Sequence, residues 1–237
     1  MTLLTMVQNA ADEIGIPQPG SVISSTDQSV IQLLRMAQRH GKMLVTKYQW
    51  EELTVETTHT SVATESQGAI TTIFGADFDH IISDTIFNRT QNKRILGPLS
   101  ASQWQRELSN TASIIDEHYR IRGGEFLVTP TMTAGETVAL EYMSAHHCQA
   151  TGGGATKDSF TVDSDVSRLS EELTTLGIIV RFMKAKGLDY SEHFREHELL
   201  LNQRMGVDGG KPRINLAGRA EPNPRFVNMP DGDWPIS

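Results

Sequence analysis

The sharpest chemical spacing in the chain is His193-Phe194-Arg195-Glu196-His197. Four residues apart on a helix, two imidazoles share one face, and H-x-x-E-H is the pattern by which inverted zinc proteases hold their metal. Such a site needs a third protein ligand. Only forty residues follow His197, and beyond the adjacent Glu198 their sole glutamate is Glu221. The surrounding SEHFREHE is also dense with charge, as a solvated helix face is. A zinc-dependent hydrolase using His193, His197 and Glu196 is therefore the alternative reading, and no metal is the expected state.

Two other stretches invite the same scrutiny. In His146-His147-Cys148, neighbouring strand residues point to opposite faces, so only His146 and Cys148 can share one, and two ligands do not make a site. Gly152-Gly153-Gly154 with Lys157 lacks the spacing of a phosphate loop, because Thr156 precedes the lysine and Asp158 follows it. It reads as a flexible connector over 149–159. No nucleophile elbow, dinucleotide-binding turn or spaced acidic triad is present, so no catalytic residue and no cofactor is expected.

Helices and strands must position whatever surface remains. Leu3, Val7, Ala10 and Ile14 recur at helical spacing up to Gly15 and Pro17. Ser25 with Gln28 predicts a capping box for a second helix through Leu33, Ala37 and Leu44, closed near Trp50. From residue 51 the period changes to two, predicting strands at 53–57, 69–74, 80–88 and 93–96. Ser100 with Gln103 predicts a short helix over 101–109 that buries Trp104 and Leu108. A hairpin about Gly123-Gly124 and a strand with Val138, Leu140 and Tyr142 on one face follow. Helical spacing returns from Val166 to Met183, with Gly187 as its stop. Asp189 and Glu192 cap a fourth helix, on which Phe194, His197 and Leu201 are expected to pack inward while Arg195, Glu196 and Glu198 reach water.

The expected fold class is α+β: an antiparallel four-helix unit from 1–50 and 160–205, an inserted β-rich, sandwich-like domain at 51–150, and an extended tail at 206–237. With 237 residues the chain can bury a sizeable core unaided. Its single cysteine excludes an internal disulfide. No run of eighteen apolar residues predicts a membrane span, and the opening MTLLTMVQNAADEIG does not read as a secretory signal. The net charge of −8 resides in 51–163, where fifteen acidic side chains face seven basic ones. An acidic face does not advertise specific nucleic-acid binding, but it suits a wall that DNA slides past. The last 32 residues hold five of the nine prolines and five glycines, with Phe226 and Trp234 among them. A segment so composed stays disordered or orders on a partner, and its aromatics favour the partner.

Three stretches resemble one family, in its order. The opening helix with its IGIPQPG turn and the helix LLRMAQRHGKMLVTKYQWEEL come first, then YRIRGGEFLVTPTMTAGETVALEYMS, then DSDVSRLSEELTTLGIIVRFMKAKGLDYSEHFREHELLLNQR. Together they are similar to the head–tail adaptor proteins of short-tailed bacteriophages, also called tail tubular protein A or head-to-tail connectors. The resemblance covers about half the chain and leaves 52–117 and the tail unmatched. It implies a non-enzymatic virion protein, made in the host bacterial cytoplasm and assembled as a ring, commonly of twelve copies, below the portal vertex. The helices would meet the portal protein and neighbouring copies. The β part would face the tail nozzle or tail fibres, and double-stranded DNA would pass through the channel. Arginine and aromatic anchors dominate interface energetics, so Arg213, Arg219, Arg225, Phe226 and Trp234 are the expected contacts with the portal or a neighbouring subunit. A neck or stopper protein at another level of a virion is a further reading.

Overall fold

The computed structural model describes residues 1–109 and 116–208. Mixed α+β architecture is present as expected. Two helices open the chain, α1 (Leu3–Ile14) and α2 (Gln28–Lys47). Thr2 caps the first, and Gly15 ends it in a left-handed conformation. The second is capped by Asp27, whose carboxylate accepts the Ser29 amide at 2.7 Å, in place of the expected Ser25. Ser25 instead accepts the Asp27 amide and braces the cap from the preceding turn. Trp50 closes the helix from beyond its end: its buried indole N–H donates to the Leu44 carbonyl at 2.8 Å, satisfying an acceptor that the last turn leaves open.

A 3-10 turn (Glu51–Leu53) leads into β1 (Thr54–Thr60), followed by β2 (Ser66–Ala69), α3 (Ile70–Ile73), β3 (Phe78–Ile81), β4 (Phe87–Asn88), β5 (Lys93–Leu96) and α4 (Ala101–Ser109). Then come the hairpin β6 (Glu117–Arg122) and β7 (Glu125–Thr129), the long β8 (Thr137–Ser144), and the short β9 (Cys148–Gln149), β10 (Thr156–Lys157) and β11 (Val166–Ser167). Eight strands form one sheet in the order β1-β8-β4-β5-β6-β7-β2, with β3 also on β8. Among the described residues only the β5–β6 pair is parallel. Six strand spacings would set β1 and β2 about 29 Å apart in a flat sheet. The link from Thr60 to Ser66 spans at most about 22 Å, so the sheet must curl. One curled sheet therefore stands where a sandwich was expected, wrapped round its own core of Phe74, Ile86, Ile95, Tyr119, Phe126, Val138, Leu140 and Tyr142.

Several local expectations are corrected. Residues 70–73 form a helical turn, because Ile73 and Phe74 both enter the core, which adjacent strand residues cannot do. The span 80–88 splits into β3 and β4 at Asp84, which adopts a positive φ of 65°. The capping box of α4 forms as expected, with Ser100 N donating to Gln103 Oε1 and Gln103 N to Ser100 Oγ. Trp104 is fully buried there, but Leu108 is exposed. The stretch 149–159 is no free connector, since β9 pairs with β10 and β11 in a small second sheet.

Helical structure resumes only at Glu171, because Val166 and Ser167 are held in β11 and Ser170 supplies the cap. This helix, α5 (Glu171–Lys186), is buried continuously from Leu173 to Val180, as a helix enclosed on all sides must be. It packs on α1, on α2 and on α6 (Ser191–Val207). Asp189 accepts the Ser191 amide at the turn. Helix α6 runs two residues past its expected end, and Asp208 then ties back by accepting the Glu51 amide at 3.0 Å. The sheet joins the helices through Met143, which packs with Leu44, Trp50, Leu53, Leu169, Leu173 and Leu201. Arg168 spans the same junction, donating to Ser144 Oγ and to the carbonyls of Glu52 and His146.

Candidate functional site

The sites that spacing suggested are distributed among structural roles. On α6, His193 faces Glu13 of α1 at 3.4 Å, Glu196 is exposed, and His197 turns inward to His40 of α2. Phe194, expected inside with His197 and Leu201, is 47% exposed, because α6 leans on α5 along a narrow line and Phe194 falls outside it. Among the described residues no group of three or more His, Cys, Asp or Glu side chains is placed to hold a metal ion. His146 bonds Thr156 Oγ1 at 2.9 Å. Cys148 is fully buried, its thiol pushed up to about 12 by burial first and by Asp165 next. Lys157 reaches the buried Asp165 at 2.6 Å. Arg213, Arg219, Glu221, Arg225, Phe226 and Trp234 lie outside the described residues.

What spacing did not reveal is a polar line through the helices. Arg181 Nε donates to His40 Nδ1 at 3.4 Å. With that nitrogen accepting, the proton of neutral His40 sits on Nε2, which meets His197 Nε2, also at 3.4 Å. His197 must then carry its own proton on Nδ1, and that atom faces the Glu198 carboxylate at 3.6 Å. The two rings stand edge to face, 5.0 Å between centroids. Burial drives the His40 pKa down to about 3, with His197 and Arg181 adding to it; burial also lowers His197, partly offset by Glu198. Both are neutral at pH 7, which lets them share one hydrogen bond in a nearly dry place.

This line floors a cleft of about 310 Å³ between α2, α5 and α6. Met43, Val180, Tyr190 and Phe194 form its apolar walls, and Arg181 and Lys184 supply cations. The Lys184 ammonium lies 6.0 Å from the centre of the Tyr190 ring. A concave apolar site with a few fixed charges can bind an organic anion or a peptide side chain, and the chemistry visible here is recognition. A second groove, at the far end of α6, runs between Trp50, Glu51, Glu52, Glu171, Glu172, Arg204 and Val207.

The sequence held one faint sign of the cleft, Gly177 inside α5, and a like sign at Gly41 of α2, which lies against His147 outside the cleft. Gly41 and Gly177 each cost helix stability relative to alanine, and that cost marks a close approach of another group. Of the proteins compared with this chain, no family model and no curated protein matches it.

Proposed function

We propose that this chain is a structural virion subunit: a ring-forming head–tail adaptor that joins the portal vertex of a phage capsid to the tail and lines part of the DNA channel. The observation that carries this reading is the state of α6. Seventeen residues long, it buries only His197 and Leu201 among the described residues and leaves Leu199 54% and Val207 82% exposed. A helix so thinly covered is suited to completing its burial on a neighbour. In this reading α1, α2, α5 and α6 act as one four-helix unit that meets the portal and sister copies, and twelve copies is the common count of the family it resembles. The curled sheet offers a platform to the tail nozzle or fibres. The acidic residues of 51–163 keep DNA from adhering as it passes. The segment beyond Asp208 serves as an extended tail, with Arg213, Arg219, Arg225, Phe226 and Trp234 as contacts to the portal or an adjacent subunit.

The test is truncation after Asp208, which keeps the Asp208–Glu51 tie intact. The shortened chain should fold and yet fail to enter particles. Undiminished incorporation would contradict the role given to the tail.

A further inference from the structure

The cleft beside α6 has a charge imbalance that ring formation leaves unused. Among the described residues neither Arg181 nor Lys184 forms an ion pair. Glu198, the carboxylate of the cleft, faces His197 instead. Arg181 is half-buried and has Arg39 as a cationic neighbour, so its positive charge is under-compensated. Beside it stand an exposed phenylalanine and a half-buried tyrosine. The complementary ligand is an aromatic ring flanked by carboxylates, the ring stacking on Tyr190 and Phe194 and the anions meeting the two cations.

The chain carries a stretch of that composition. Asp231-Gly232-Asp233-Trp234-Pro235 sets two carboxylates beside an indole, and no lysine or arginine follows Arg225. Its reach is sufficient. Asp208 is fixed beside Glu51 and Tyr48. From there back to Glu198, α6 covers about 15 Å. The stretch from Asp208 to Asp231 spans up to about 75 Å when extended. A tether that exceeds the gap this comfortably gives its own end a high effective concentration at the cleft, ahead of any second copy.

We propose that in the free chain the segment Asp231–Trp234 docks in this cleft of the same molecule, with its indole against Tyr190 and Phe194 and its carboxylates toward Arg181 and Lys184. This docking concerns the unassembled chain and does not depend on the adaptor reading. Because Trp234 is also a contact proposed for the assembled particle, joining a ring would withdraw it from the cleft.

Fluorine NMR of the full chain labelled with 5-fluorotryptophan tests this. Trp50 and Trp104 are buried, and Trp234→Phe identifies the third signal. The Trp234 resonance should be displaced from that of a free peptide of residues 229–237. It should return to the peptide value in Lys184→Glu and in Phe194→Ser, both at exposed positions that leave the fold intact. Combining Lys184→Glu with Asp231→Lys and Asp233→Lys should displace it again. A wild-type signal that coincides with the free peptide, one indifferent to Lys184→Glu, or a charge swap that restores nothing would overturn the proposal. A displacement that disappears on dilution would overturn it too, by assigning the cleft to a second copy.

Discussion

The α-carbon of Gly177 in α5 lies against the imidazole of His40 in α2, so close that a β-carbon at 177 would stand 2.0 Å from Nε2. One residue along α2 the relation is repeated in reverse: a β-carbon at Gly41 would stand 2.0 Å from Cδ2 of His147. Helix α2 thus gives an imidazole to one neighbour and receives one from another. At both places an imidazole is laid on bare helix backbone.

Gly177→Ala is accordingly expected to destabilise the protein. Alanine gains about 1 kcal/mol in helix propensity. Against this stand overpacking of roughly 1–3 kcal/mol and a similar loss where the displaced His40 leaves polar partners unmatched. The expected net loss is about 2 kcal/mol in urea unfolding, with part recovered in Gly177→Ala/His40→Ala. A stabilised Gly177→Ala would show that the contact is loose.

Stability should fall in mild acid. His40 is held at about 3 and His147 at about 4, each by burial first, then by His197 and Arg181 for the former and by Lys42 for the latter; His197 is lowered as well. The groups facing His40 include the Leu173 carbonyl, which favours its charged form but is outweighed. Unfolded, all three bind protons near pH 6.5, so below that pH the unfolded state holds more protons and gains on the native one. Their contribution is therefore complete above about pH 6.5 and declines as pH falls, for His40 and His147 down to about 3–4. Between pH 7.5 and 5 the loss is roughly 2 kcal/mol each for His40 and His147, and His197 adds in the same direction. Calorimetry across this range checks it, and His40→Gln should flatten the slope.

Asp165 is fully buried and accepts from Lys157, from the Thr161 hydroxyl and from the amides of Thr161 and Val162. Burial raises its pKa, but these donors outweigh that and hold the carboxyl below its usual value. Asp165→Asn leaves Lys157 without its counter-charge and should cost about 3 kcal/mol or more. Asp165→Asn/Lys157→Met should recover part of the loss in chemical denaturation; strict additivity of the two changes would show that the pair is not coupled.

Trp50→Phe keeps the aromatic packing but removes the donor to the Leu44 carbonyl. The expected cost is about 1–2 kcal/mol, with the loss of amide protection concentrated in the last turn of α2, as read by hydrogen exchange. Unchanged protection there would assign the closure of the helix to packing alone.

Periodicity and caps were enough to place the helices and most strands. Leu3, Val7 and Ala10 mark α1, Ser100 with Gln103 marks α4, and Gly123-Gly124 marks the β6–β7 turn because each signal is local. Residues 70–73 misled because β-branched side chains score as strand wherever they occur, whereas Phe74 and Ile73 were turned to a common core by the sheet around them. Val166 misled because its apolar spacing ran on smoothly into α5, while its pairing partner Gln149 lies far back in the chain. The cleft was harder still. His40, Arg181 and His197 come from three helices, and only packing brings them together; Gly177 was the local trace.

Electron microscopy of phage particles, searched for this chain, is the most direct test of the adaptor proposal. A closed ring directly beneath the portal, into whose repeating density the helices and curled sheet fit, is the predicted result. A particle in which the chain is absent, or present only as isolated copies away from the DNA channel, would contradict it.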